Sequence, residues 1–160
     1  MAAAVAPILI ALASFVLRLV NLGSTKGYIF DEVYYVDGAR DLLKYGVEVS
    51  GNSPEFIVHP PVGKWLIGAG IAIFGDNEFG WRFATALIGT LLILVFARLV
   101  HVLFYSPLLT GLGAALMALD GLLLVHSRTA LLDLFLTFFI LLQYCSGTEV
   151  DIGGQVLHLV

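Results

Sequence analysis

The sequence predicts an all-α integral membrane protein of about four spans with one large polar loop. Three observations carry that expectation. The 160-residue chain is 59% hydrophobic and 12% charged, with a mean hydropathy of +0.97, whereas soluble domains are about 45–50% apolar and about 25% charged. Its charges are segregated: ten lie between Lys26 and Lys64, while residues 1–23 carry only Arg18 and residues 83–119 only Arg98. The apolar tracts between them approach the roughly 20 residues needed to cross a hydrocarbon layer. A net charge of −4 without basic clusters argues against a nucleic-acid partner. The single cysteine, Cys145, excludes an intrachain disulfide.

The first span is expected over residues 3–22. No Lys or Arg precedes Arg18, and the stretch is longer than the apolar core of a cleaved signal, so the helix is read as retained. Residues 23–80 form the polar loop. Within it Asp31 can cap a helix whose apolar positions Val33, Val36, Leu42 and Leu43 recur near helical spacing. Gly46 suits the left-handed end of that helix. Residues 50–55, SGNSPE, read as a turn-rich linker. Proline disfavours helix in the residue before it, so His59-Pro60-Pro61 holds the chain extended. Residues 63–74 are apolar but short, which fits an interfacial or re-entrant helix.

The second span is expected over 81–104, with Trp81 at the interface. Ser106-Pro107 breaks the pattern, 108–125 cross back, and 130–144 begin a fourth crossing. Residues 145–160 are expected to be an aberrant or truncated tail, with adjacent glycines and no helix-length apolar run. Charge counting puts the first loop in the cytoplasm, through Lys26, Arg40, Lys44 and Lys64. Acids count little under that rule, so it leaves the orientation open.

The chemical candidates gather at the ends of the spans. Asp31 and Glu32 are adjacent carboxylates. One reading makes Asp31 a proton acceptor for an attacking hydroxyl; the other makes it a helix cap, with Glu32 favouring the positive helix end. His59-Pro60-Pro61-Val62-Gly63-Lys64 is not a Walker loop, because Val58 stands where its first glycine belongs. Lys64 either binds phosphate as a point charge or snorkels to water. His59 lacks a second histidine at metal-ligand spacing, and no metal site is expected. Arg18, Arg82 and Arg128 lie at or near span ends, where arginine either matches a phosphate or snorkels. Asp120 and Asp133 flank Arg128, giving either an ion pair or, more sharply, a substrate contact. Phe135, Phe138 and Phe139 read as lipid-facing or packing residues.

Four of these segments, in order, resemble the protein O-mannosyltransferase family. Phe30-Asp31-Glu32-Val33-Tyr34-Tyr35 is similar to its FDExxY segment. His59-Pro60-Pro61-Val62-Gly63-Lys64, Gly80-Trp81-Arg82-Phe83 and Ser127-Arg128-Thr129-Ala130-Leu131-Leu132-Asp133 resemble its next three landmarks. The likeness is nearest to the actinobacterial branch and runs over residues 15–143. It implies the N-terminal part of a GT-C transmembrane helix bundle in the bacterial plasma membrane, multi-pass, with the catalytic loop 23–80 extracytoplasmic.

The implied activity is transfer of mannose from a polyprenyl-phosphate-mannose donor to serine or threonine of translocating proteins. Another GT-C transfer, of a sugar to lipid, and a non-enzymatic membrane fragment are the alternatives. By resemblance Asp31 is the general base and Glu32 supports donor or acceptor geometry. Arg82 foremost, then Lys64, Arg128 and Arg18, are cationic candidates for the donor phosphate. His59 and Asp133 are placed beside the substrate. The implied partners are membrane lipid, the lipid-linked donor, acceptor polypeptides and the secretion translocon. No cofactor is called for, and metal dependence is left open. Family members are several times longer, so the short chain is expected to be inactive alone.

Overall fold

Helices dominate a computed structural model that describes residues 2–50, 53–54, 59–150 and 156–158. Among the described residues they are α1 (Ala2–Leu19), α2 (Glu32–Tyr45), α3 (Val62–Phe74), α4 (Glu78–Phe104), α5 (Pro107–Leu119), α6 (Gly121–His126) and α7 (Asp133–Gly147). Two short antiparallel ladders accompany them. Strand β1 (Val49–Ser50) pairs with β2 (Ser53–Pro54), and β3 (Thr148–Val150) with β4 (Val156–His158). Of the linker predicted at 50–55, Ser50, Ser53 and Pro54 lie in the first ladder; residues 51–52 and 55–58 lie outside the described residues. So do 151–155 and 159–160 of the tail.

Helix α4 is the hub, packing on α1, α3, α5 and α7, while α2 packs on α3. It starts before Trp81 because the Asn77 side chain accepts from Phe79 N at 3.1 Å and Gly80 N at 3.0 Å, filling two donors that a helix start leaves unpaired. The α3–α4 hairpin is closed backbone against backbone. A Cβ on Gly70 would sit 2.3 Å from the Gly80 carbonyl oxygen, and one on Gly80 would sit 2.1 Å from that of Gly75. Ile67 and Ile71 from α3 meet Ile88 and Leu92 from α4, and Val36, Ala39, Leu134 and Phe135, in one buried apolar core.

Helix α2 ends where expected, with Gly46 at φ 75° accepting the left-handed conformation. It is latched outside the bundle by Arg40, which donates to both oxygens of Asp76 at 2.8 Å and to Asp37 at 2.6 Å. Those bonds, that to Asp76 above all, raise the Arg40 guanidinium further above its usual range.

Two expectations need correction. The predicted single crossing at 108–125 is two helices, α5 and α6. Asp120 between them is extended, and its carboxylate accepts from Leu123 N at 2.6 Å, starting a new helix. The helix expected to begin the fourth crossing at 130 is α7, which starts at Asp133 because residues 127–131 form hydrogen-bonded turns. Among the described residues only Glu78–Phe104 is long and apolar enough to cross a membrane; Val5–Leu19, Val62–Phe74, Pro107–Leu119 and Asp133–Ser146 are shorter apolar helices. Leu108, Leu112, Leu116 and Leu119 nonetheless form an exposed stripe along α5, as Leu9, Leu12 and Val16 do along α1. Such stripes suit apolar surroundings.

Candidate active site

The FDE segment is held by one buried ion pair. Glu32 and Arg82 are both fully buried. Glu32 Oε1 accepts from Arg82 Nε at 2.8 Å and from Ala130 N at 2.7 Å. Its Oε2 accepts from Arg82 Nη2 and from Ile29 N, each at 2.8 Å. Arg82 directs its remaining donors to the carbonyls of Thr25 at 2.8 Å, Gly27 at 2.9 Å and Leu22 at 3.5 Å. All five guanidinium donors are thus engaged within the chain. The pair ties α2 and α4 to the loop before α2 and to the turn before α7. In that loop Phe30 takes φ 53°, uncommon for a bulky residue, and it is 81% exposed.

Asp31 does not cap α2. It stands at the N-cap position with φ −77° and ψ 3°, and its side chain makes no cap hydrogen bond, because a cap needs extended backbone to aim the carboxylate at the helix amides. The carboxylate instead lines a cleft of about 520 Å³ with Tyr34, Tyr35, Glu48, His59 and Lys64. The Tyr35 ring meets the His59 ring edge-on at 5.4 Å. Burial, then the charges of Asp31 and Asp133, push the Tyr35 phenol above its usual range. Tyr35 therefore stays a neutral hydrogen-bond donor beside two carboxylates.

Lys64 neither snorkels nor stands free. It is buried, and its Nζ donates to Glu48 Oε2 at 2.5 Å. On the other side of His59 lies a second cavity, of about 270 Å³, lined by His59, Pro60, Val62, Leu132, Phe135, Leu136 and Phe139, with Asp133 at its edge. One cavity is polar, the other apolar, and His59 belongs to both. Phe135 and Phe138 are buried packing residues, whereas Phe139 is exposed.

Arg18 and Arg128 form a separate cationic locus. Arg18 is fully buried, with Nε on Ser127 Oγ at 2.8 Å, Nη1 on Ser14, and Nη2 unpartnered. Packing by Ser127 and Gly89 sets aside the snorkelling alternative: a Cβ on Gly89 would lie 3.4 Å from Arg18 Nε. Arg128 Nη1 donates to the carbonyls of Leu17 at 2.9 Å and Arg18 at 3.0 Å. The ion pair expected between Arg128 and the flanking aspartates is not made. Asp120 caps α6, and the last carbonyls of α1, which carry the negative end of its dipole, take the arginine.

Among the described residues no three His, Cys, Asp or Glu side chains gather as a metal would require. Residues 58–150, more than half the chain, match the family model described as dolichyl-phosphate-mannose-protein mannosyltransferase. The chain belongs to that family. A polyprenol-phosphate-mannose–protein mannosyltransferase of Mycobacterium tuberculosis is 44% identical over 142 residues, which cover 85% of this chain and 27% of the relative. Its namesake in Corynebacterium glutamicum is 36% identical over 141 residues, covering 82% of this chain and 27% of the relative. An undecaprenyl phosphate-α-4-amino-4-deoxy-L-arabinose arabinosyl transferase of Pseudomonas fluorescens is 35% identical over 91 residues, covering 56% and 17%. This chain therefore spans about a quarter of the length of its mannosyltransferase relatives. No solved structure matches it.

All four segments on which the mannosyltransferase resemblance rests contribute to one end of the bundle. The structure brings Asp31, His59 and Lys64 to one cleft and sets Asp133 beside the adjoining groove. It joins Glu32 to Arg82 and keeps Arg18 with Arg128. Sequence reasoning missed Glu48, buried against Lys64, and Tyr35. The signal for Tyr35 was its place in the FDExxY segment; Glu48 gave none, since an acid after a helix-ending glycine reads as solvated.

Proposed function

We propose that this chain carries part of the active site of a membrane enzyme that transfers mannose from polyprenyl-phosphate-mannose to Ser or Thr hydroxyls of proteins. The observation that carries the reading is the junction at His59 of a polar cleft holding Asp31 and an apolar groove. A lipid-linked sugar has the same two-part character. Its mannosyl group fits the cleft, its prenyl chain lies along Leu132, Phe135, Leu136 and Phe139, and its phosphate falls beside His59. The names of the M. tuberculosis and C. glutamicum relatives support the donor and the protein acceptor.

In the reaction the acceptor oxygen attacks the anomeric carbon while Asp31 takes its proton. The bond from that carbon to the phosphate oxygen breaks, and polyprenyl phosphate leaves as an anion. The leaving group needs positive charge rather than a proton. Arg18 and Arg128 supply it from further off, across a medium where burial lengthens the reach of charge, and the His59 ring offers a hydrogen bond by contact. Glu32 and Arg82 are positioning residues, since their hydrogen-bonding capacity is turned inward. A second reading is transfer of a different polyprenyl-phosphate-linked sugar to lipid; the name of the P. fluorescens relative supports the different sugar, and the sugar and acceptor found in product analysis distinguish the two.

The test uses this chain grafted in place of the matching stretch of the M. tuberculosis relative. Asp31→Asn should lower single-turnover mannosyl transfer at saturating donor by about 10²–10⁴-fold, the usual share of a general base, with donor binding kept. A rate within about threefold of the parent overturns Asp31 as the base.

The same reading makes the protein multi-pass in the cell membrane, with loop 23–80 outside, both ends of the four-span unit cytoplasmic, and acceptors met as they leave the translocon. In a Cys145→Ser background, a membrane-impermeant maleimide added to intact cells should label Ser53→Cys and spare Ser106→Cys. The opposite pattern overturns the orientation.

A further inference from the structure

Four carboxylates line the polar cleft besides its tyrosines: Asp31, Asp37, Asp41 and Glu48. Their engagements differ. Asp37 is paired with Arg40 at 2.6 Å, and Asp41 accepts from Val49 N at 3.1 Å. Asp31 is half-buried in the lining of the cleft. Glu48 stands apart: its side chain is 6% exposed, Oε2 is bound to Lys64, and Oε1 has no partner. A buried carboxylate oxygen without a donor is destabilising, and the described residues offer none.

We propose that Glu48 Oε1 is the acceptor for a hydroxyl of the donor's sugar ring, which makes the Glu48–Lys64 pair a sugar-recognition element. This rests on the donor reading given above. The pair is neutral overall, so the complement of Oε1 is a neutral O–H rather than a cation. Lys64 has three N–H donors and one carboxylate oxygen in reach, which leaves it donors to offer to a neighbouring hydroxyl. An acceptor beside a donor in a buried wall matches two adjacent hydroxyls of a hexose. The position is apt, since the same cleft holds Asp31, to which the anomeric carbon must come close. Gly38 is part of the fit: a Cβ there would lie 3.0 Å from Glu48 Oε2 and 3.2 Å from Lys64 Nζ, so a larger residue would displace the pair.

Substitution of Glu48 by Gln inverts the polarity of the recognising atom. Lys64 claims the single amide oxygen, and the NH₂ then faces the cleft as a donor. The experiment measures binding of two lipids, polyprenyl-phosphate-mannose and bare polyprenyl phosphate, in nanodiscs to the protein in which this chain replaces the matching stretch of the M. tuberculosis relative. Glu48→Gln should weaken the mannosylated lipid about tenfold and leave the bare phosphate within about twofold, which also certifies that the variant is folded. Glu48→Asp keeps the charge but withdraws it by one methylene, and it should show the same selectivity at smaller size. Equal loss for both lipids in both variants, or no loss for either, overturns the proposal. Failure of both lipids to bind the parent graft overturns the donor reading on which it rests.

Discussion

Two buried carboxylate–cation pairs flank α2, and they are finished differently. Around Glu32 and Arg82 every oxygen and every N–H has a partner, drawn from four segments of chain. Around Glu48 and Lys64 the ions meet each other, and one buried oxygen of a cleft-lining residue is left without a partner. Burial is similar in the two places, so burial alone does not separate a structural ion pair from a recognising one. Completeness of hydrogen bonding does. A closed pair fixes geometry, and an open pair keeps capacity for something that arrives later.

That contrast can be broken by truncating each cation. Arg82→Ala should have the larger effect, lowering stability by about 3–5 kcal/mol, because it strands a buried charge and three carbonyls. Thermal loss of helical ellipticity in detergent, beside the parent, reads it. Lys64→Met should cost about 1–3 kcal/mol, since Glu48 borders a cleft that can admit water. If Lys64→Met is as damaging as Arg82→Ala, the two pairs are equivalent and the contrast is lost.

The residues of this end of the molecule were legible; their partners were not. Asp31, Glu32, His59, Lys64, Arg82 and Arg128 stood out as charges at the borders of apolar tracts. Arg82 stood first among the phosphate candidates by the family resemblance, and a buried arginine needs an anion. Its anion lies 50 residues away in the sequence, at Glu32, and no local pattern reports a pairing at that separation. Glu48 sits in Val47-Glu48-Val49, an alternation that points the acid outward. The structure exposes Val47 and buries Glu48, because Lys64 on α3 draws it in.

The helices followed similar lines. Gly46 ended α2 as expected, since a left-handed residue is written in the amino acid itself. The break at Asp120 was hidden, because leucines continue on both sides of it and hydropathy runs straight through. The Asp120-Gly121 pair was the local clue, a cap followed by a helix start. Asp31 misled in the opposite direction: a residue type favoured at caps stood at the cap position, with the wrong backbone angles to act as one.

The hydrogen bond from Ala130 N to Glu32 spans 98 residues, and it sets a timetable for biosynthesis. At roughly 5–20 residues per second, a ribosome adds residue 130 about 5–20 s after residue 32. Throughout that interval Glu32 has lost the chance of its last donor, and Arg82 itself is made only midway. The loop that bears Asp31 is therefore translated early but matures late. Until the segment around Ala130 has been delivered, Glu32 has at most three of its four donors, and water must stand in for the last.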